Sequence, residues 1–461
     1  MISTSIAAAL LVALASPVPP DGAPAPNDWT ILVYGGSDNS SEESFGPDVE
    51  ALRRGIPATG RVELFCLVDR SPGFSDSTAG FGEDFADTRL YRLTRDAAER
   101  LDGRPELPEI TAGSSYEANS GDATLLRDYL RWARTHHPAR HTALIVYTHG
   151  NGWTFCPDET DGGDELYPAE LSDVLAAEDS LDLVVFDVCE MSSLEDAWQW
   201  RPGTGRFGID VMVATPMAGF PFPWESILGR FEDPATLTPE EFGRIVVEQT
   251  EAHRRRELAR GDLEDGVREI VRREAMACLR LDRIGPVKEA LDALAVRLAA
   301  HEDGPDWLFE LRGRPGAAGA LSYAERPLYV DVFDLGRRAA EADGLPEDVR
   351  AAGVRLAEAT EAAVVASYGL SAYDRFGGFQ PGRHGVQLIL PPPGLALRDA
   401  WAAVRFLTPD ATAGEGPGYG RYAFCRDGAT PGDGRVTSWW ELLDLTFDPD
   451  DQDGGANGFS P

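Results

Sequence analysis

Short β-branched apolar runs bounded by turn residues alternate along this chain with longer stretches whose apolar positions recur every three or four residues. The short runs predict strands at Trp29–Tyr34, Val62–Val68, Ala143–Thr148, Leu181–Phe186, Ile209–Ala214 and Gly385–Leu390. The periodic stretches predict helices over Asp48–Ile56, Thr124–Thr135, Ala169–Ala177 and Ser193–Trp200. Such alternation implies crossover connections, and therefore an α/β fold with a mostly parallel sheet. From about Pro239 to Tyr368 the pattern changes to long amphipathic helices: Glu240–Arg256, Ile284–Ala300, Tyr329–Ala342 and Val349–Tyr368. The return to strand at Gly385–Leu390, ahead of Pro391-Pro392-Pro393, reads as the closing strand of the sheet. The helical stretch is then an insertion before the last strand, and Trp439–Leu445 a final helix packing back.

Two of the strands end in reactive side chains. Val146-Tyr147-Thr148-His149-Gly150 presents an imidazole, and Val185-Phe186-Asp187-Val188-Cys189-Glu190-Met191 a thiol. In parallel α/β sheets chemistry collects outside the carboxyl ends of strands. Neighbouring strands ending this way would place a nucleophile and its acid/base partner in one crevice. A cysteine on an apolar strand is ordinarily a small buried hydrophobe, so the surroundings decide. Gly150 and Gly152 permit close backbone approach, and glycine N–H groups can stabilise an oxyanion. Asp187 and Glu190 flank the thiol at the end of a hydrophobic strand, where carboxylates are costly unless a cleft receives them. Other chemistries lack their motifs: there is no GxSxG, no HExxH, and no GxxxxGK[ST], since the single lysine, Lys288, follows Val287.

Composition narrows the setting. A chain of 461 residues exceeds the size of one simple core. Lys+Arg is 42 against Asp+Glu 77, a net charge of −35. That surface excludes a nucleic-acid partner, which needs clustered basic residues, and repels anionic lipid. Five cysteines in a chain this long are no disulfide framework. No Cys/His spacing suggests zinc, and no metal ligand is assigned. The apolar run Ile6–Ala15 with Ala13-Leu14-Ala15, then a Pro/Ala spacer to Pro26, reads as a signal peptide, although no Lys or Arg precedes Arg53. No later segment has the length of a membrane span. The tail Asp448–Pro461 is acidic and Gly-rich; its Asp450-Asp451-Gln452-Asp453-Gly454 lacks the alternation of a calcium loop, and disorder is expected. The chain therefore divides into 1–26 (signal peptide and spacer), 27–238 (catalytic core), 239–447 (helical insertion, last strand, closing helix) and 448–461 (tail).

With these residues in view, the sequence resembles the clostripain-like cysteine peptidases, family C11 of the caspase-like clan. The resemblance rests on Trp29–Tyr34 with Ser37-Asp38-Asn39, Asn119-Ser120-Gly121-Asp122, His149-Gly150-Asn151-Gly152-Trp153, Asp158-Glu159-Thr160, and Phe186-Asp187-Val188-Cys189-Glu190-Met191. Pro223-Trp224, Tyr329-Val330-Asp331, Gly385 to Pro391 and Ser438-Trp439 follow in family order. It implies a caspase-like three-layer sandwich with a six-stranded sheet in the order 2-1-3-4-5-6. It further implies an endopeptidase acting on protein or peptide substrates; secretion is expected from the N-terminal apolar run, and a monomer is expected. Cys189 would be the nucleophile, His149 its dyad partner, and the backbone N–H groups of Gly150 and Cys189 the oxyanion hole. Asp187 matches an acid that receives a P1 Arg or Lys. No cofactor is required by that chemistry; calcium is the one ion left open.

Two departures stand out. After the fifth strand the family presents Ser and acidic residues, whereas this chain reads Ala214-Thr215-Pro216-Met217. With Thr215 and Met217 in the substrate pocket, preference for a basic P1 should relax, since a buried cation needs a paired anion. Glu190 stands where leucine is common, and a carboxylate beside a thiol raises its pKa. The rival reading is a caspase-like domain with impaired turnover that serves as a binding or scaffold module.

Overall fold

The computed structural model describes residues 26–311, 321, 323, 329–376, 378–390, 419–430 and 434–447. The signal-peptide segment up to residue 25, Pro391-Pro392-Pro393 and the acidic tail lie outside the described residues.

Thirteen strands are described: β1 (Asn27–Ser37), β2 (Val62–Arg70), β3 (Thr88–Leu93), β4 (Ala98–Arg100), β5 (Ala139–Tyr147), β6 (Phe155–Asp158), β7 (Asp164–Leu166), β8 (Leu181–Asp187), β9 (Ile209–Ala214), β10 (Ala275–Arg280), β11 (Tyr329–Asp331), β12 (Val364–Gly369) and β13 (Gln387–Ile389). Nine of them form one sheet in the order β12-β10-β9-β8-β5-β1-β2-β3-β4. The run β2-β1-β5-β8-β9 is parallel throughout and reproduces the expected order of the first five core strands.

The sixth position departs from expectation. It is filled by β10, antiparallel to β9 with Cys278 opposite Val213, and β12 adds beyond it, also antiparallel. Gly385–Leu390 does not close the sheet. Its core, β13, pairs with β11 in a separate two-stranded sheet. The stretch read as a helical insertion before the last strand therefore supplies two strands of the main sheet. The physical reasons are local. The β10 sequence Ala-Met-Ala-Cys-Leu-Arg has no β-branched residue to announce a strand. β12 continues helix Glu347–Ala363 with no Gly or Pro between them, so the apolar periodicity ran on to Tyr368. Similarly, Tyr329–Ala342 begins as β11, and its helix is Val332–Glu341.

Side-chain alternation makes the layers. Leu32, Leu144, Val146, Val184 and Phe186 face one core with Leu126 and Leu130 of helix Ala123–His136. Their neighbours Ile31, Val33, Ile145, Leu183 and Val185 face the other, with Val49 and Leu52 of helix Glu42–Gly55 and Val246 of helix Pro239–Arg260. A strand buried on both faces reads as a continuous apolar run, which is why these strands are plain in the sequence. Asp122 caps helix Ala123–His136 by accepting from the Thr124 N–H at 2.8 Å, and thereby fixes the crossover into β5. The final helix, Trp439–Phe447, packs on helix Ile284–Ala299, with the Trp439 N–H donating to Asp292 Oδ1 at 2.9 Å.

Candidate active site

β5 and β8 run parallel with Tyr147 opposite Asp187. Two residues beyond that last paired position stand His149 and Cys189, so the register puts both at neighbouring strand ends. Both line one cleft, together with Ser40, Tyr147, Asp187 and Phe222. Gly150 sits where a Cβ would come within 2.4 Å of Val188 Cγ1 and 3.1 Å of the Cys189 carbonyl oxygen. Only glycine lets the two loops approach this closely.

The loop after Cys189 is braced from outside the main sheet. The Gln387 N–H donates to Ser192 O at 2.8 Å, the Gln387 side-chain amide donates to Glu190 O, and Ser192 Oγ donates to Gly385 O at 2.6 Å. β13 thus supports the loop after Cys189 and does not extend the sheet. Glu190 has φ 64°, a left-handed backbone that non-glycine residues seldom adopt. Its N–H donates to Met217 O at 3.2 Å. Strained backbone of this kind concentrates where a site fixes a side chain in an unusual direction.

The electrostatics hold the pair neutral. Burial pushes the Cys189 thiol above its ordinary pKa, with Glu190 and Asp187 adding to the rise, while the nearby Gly219 backbone opposes it. Burial draws the His149 imidazole below its ordinary value. Both directions favour the uncharged forms of thiol and imidazole near neutrality. Ser40 Oγ lies 2.9 Å from His149 Nε2, leaving Nδ1 as the ring nitrogen free of that contact.

Asp187 is buried at the cleft, where its Oδ2 accepts from Trp224 Nε1 at 2.9 Å and from the Phe222 N–H at 3.3 Å. Burial raises its carboxyl to about 7. Asp48 lies close enough to feel it: burial, then the Asp187 charge, lifts Asp48 to about 8. Two acids this close share a titration. The other predicted pocket residues fare differently. Thr215 lines the cleft, but its hydroxyl donates inward, with Val188 O at 3.0 Å and Met217 O at 2.8 Å. The Met217 side chain turns to a separate cluster with Ala275, Leu321, Tyr323 and Tyr373.

Sequence reasoning passed over Ser40, Asp48 and Arg254. The Arg254 guanidinium is buried, its Nε donating to both carboxylate oxygens of Glu274 at 3.0 and 2.8 Å, and it donates to the carbonyls of Phe220 and Pro221 at 2.9 and 2.8 Å. It holds the loop that walls the cleft. Nothing in a helix carrying His253-Arg254-Arg255-Arg256 marks one arginine as internal. Ser40 had a signal: a dense polar run, Ser37 to Ser44, directly after a buried strand.

Comparison with known proteins adds to this geometry. The model of the clostripain family matches residues 33–393. Clostripain of Hathewaya histolytica is 30% identical over 487 aligned positions, covering 93% of this chain and 89% of that relative. An inactive zymogen C11 protease from Parabacteroides distasonis has a TM-score of 0.54 at 16% identity, covering 83% of this chain and 97% of its own. A secreted C11 cysteine protease from Bacteroides thetaiotaomicron, solved with an irreversible peptide inhibitor, has a TM-score of 0.53 at 15% identity, with 81% and 95% covered.

Proposed function

The chain belongs to the clostripain family and is a cysteine peptidase; on that premise we propose an exported, monomeric endopeptidase that uses Cys189 and His149 as its dyad and accepts arginine at P1 with relaxed preference. The observation that carries the reading is the β5–β8 register, which brings residues 149 and 189 together beside a buried carboxylate.

Attack transfers the Cys189 proton to His149 as sulfur bonds to the scissile carbonyl carbon. The N–H groups of Gly150 and Cys189 receive the developing oxyanion. His149 then returns the proton to the departing amine, and water hydrolyses the thioester by the same route. A P1 guanidinium reaching Asp187 would gain a charge-assisted bond. Asp187 is the one carboxylate among the cleft-lining residues, which supports acceptance of arginine with a weaker preference than the family norm. Lysine should do worse, because it cannot bind bidentately. Export is supported by the apolar run Ile6–Ala15, and no helix among the described residues is long and apolar enough to cross a membrane.

The test is Cys189→Ala, assayed on a fluorogenic peptide with P1 arginine. Hydrolysis should fall at least about 10³-fold with an unchanged melting temperature, and a thiol alkylator should label Cys189 ahead of the buried Cys66, Cys156, Cys278 and Cys425. Undiminished hydrolysis by the variant would remove Cys189 from the mechanism.

A further inference from the structure

The loop that follows Cys189 is bonded on two sides. On one side the segment after β9 accepts: the Glu190 N–H donates to Met217 O at 3.2 Å and the Ser192 N–H to Thr215 O at 3.1 Å. On the other side a single residue of β13 supplies both donors. The Gln387 side-chain amide donates to Glu190 O, and the Gln387 N–H donates to Ser192 O at 2.8 Å. Gln387 also forms an isolated parallel bridge with Ser193.

Gln387 carries a cost that packing does not explain. The residue is fully buried, and its Oε1 has no donor among the described residues. Reversing the amide would set Oε1 against Glu190 O, acceptor against acceptor, so the contact itself fixes the orientation. A buried amide with one end unmatched is costly. Its strand neighbours Val386 and Leu388 are apolar and buried, and an apolar residue at 387 would avoid that cost. What the amide gains is its bond to Glu190, the residue with φ 64°. With the Glu190 N–H on Met217 O and its carbonyl on Gln387, both peptide planes flanking this left-handed residue are held. The first of those planes carries the Cys189 carbonyl, which lies 3.1 Å from where a Cβ on Gly150 would stand.

The same small sheet reaches the histidine loop. β11 pairs with β13 and begins at Tyr329, and a Cβ on Gly152 would collide with the Tyr329 hydroxyl. β11 and β13 therefore abut both loops that meet at the cleft.

We infer that Gln387 is a positioning residue for catalysis: its side-chain amide holds Glu190 in the left-handed conformation and so sets the Cys189 peptide against Gly150. It acts through the backbone of Glu190 and not on substrate. The N–H groups assigned above to the oxyanion belong to residues 150 and 189, so their spacing depends on this contact. The inference rests on the reading of Cys189 under the proposed function.

The test is Gln387→Met in the full-length protein, with Cys189→Ala run beside it. Methionine is similar in length and has no donor. One buried acceptor without a donor replaces another, so the melting temperature should stay close to the parent's. On the P1-arginine peptide kcat should fall about tenfold with KM within about twofold, the pattern of lost alignment without lost binding. Gln387→Asn keeps the amide but is one carbon short of Glu190 O. It should lose kcat to the same extent, so the test does not depend on methionine being accommodated. Glu190→Gly supplies an independent arm, because glycine adopts the left-handed conformation without strain. In that background Gln387→Met should cost less than about threefold in kcat. Parental kcat in either Gln387 variant, with Cys189→Ala inactive, would overturn the inference and leave the dyad standing. A tenfold loss in both backgrounds would show that Gln387 does not act through Glu190, and would overturn it as well. Hydrolysis that survives Cys189→Ala would remove the reading of the thiol and this inference with it.

Discussion

The cleft lined by Cys189 and His149 and the four-carboxylate cage of Asp38, Asp69, Glu117 and Asp158 stand beyond the carboxyl ends of strands in one sheet, yet they treat buried acids differently. In the cleft, burial raises the Cys189 thiol and lowers the His149 imidazole, which favours the uncharged form of each. Its one carboxylate, Asp187, carries two protein donors and a pKa drawn up to about 7. In the cage, four carboxylates crowd together and two enclosed oxygens find no donor. The cleft thus keeps its buried acid partnered by protein donors, whereas the cage leaves buried carboxyl oxygens unpartnered, and burial raises the Asp69, Asp158 and Glu117 carboxyls. A buried acid does not by itself announce a role; the donors around it decide what it can do.

The largest expected effect that would break this contrast comes from Asp187→Asn. If Asp187 reads the P1 charge, the ratio of kcat/KM for arginine over an uncharged P1 residue should fall roughly 30-fold, the scale of one charge-assisted bond. Asparagine preserves an acceptor for Trp224 Nε1, so the wall of the cleft is retained. Equal losses on both substrates would show that Asp187 supports the cleft generally.

The pH dependence sharpens the same point with a smaller effect. A P1 guanidinium needs the ionised carboxylate, so below about 7 each complex must first expel a proton from the Asp187–Asp48 pair. For arginine substrates kcat/KM should decline as pH falls through about 7, approaching tenfold per unit, beyond any decline shared with uncharged substrates. Because the two acids titrate together, Asp48→Asn should move the midpoint downward by removing the competing charge. Identical profiles for charged and uncharged P1 would disconnect the pair from recognition.

These expectations lean on parts of the molecule that the sequence showed unequally. β1, β5 and β8 were legible because strands covered on both faces are written in uninterrupted apolar residues, and His149 and Cys189 stand shortly after two of them. β10 was not, because Ala275 to Arg280 carries no β-branched residue, and β12 hid behind the periodicity of the helix it follows. Asp187 was visible as a charge out of place at the end of an apolar strand. Met217 looked like a pocket residue by position, but its side chain belongs to another cluster. The cage could not be read in advance. Its four acids come from four separate segments among 77 acidic residues, and only folding separates them from a solvated surface.

The smallest expected effect tests whether the two regions communicate. Ser40 Oγ is 2.9 Å from His149 Nε2, and Ser40 follows Asp38 by two residues on a loop bonded to the β6 hairpin. Removing one such hydrogen bond is worth about 1 kcal/mol, which predicts about a fivefold loss of kcat in Ser40→Ala with little change in KM. If His149 is the base proposed above, the loss should enter through kcat, because the serine would orient the base and is not required to bind the P1 side chain. An unchanged kcat in Ser40→Ala would show that this contact does not position His149.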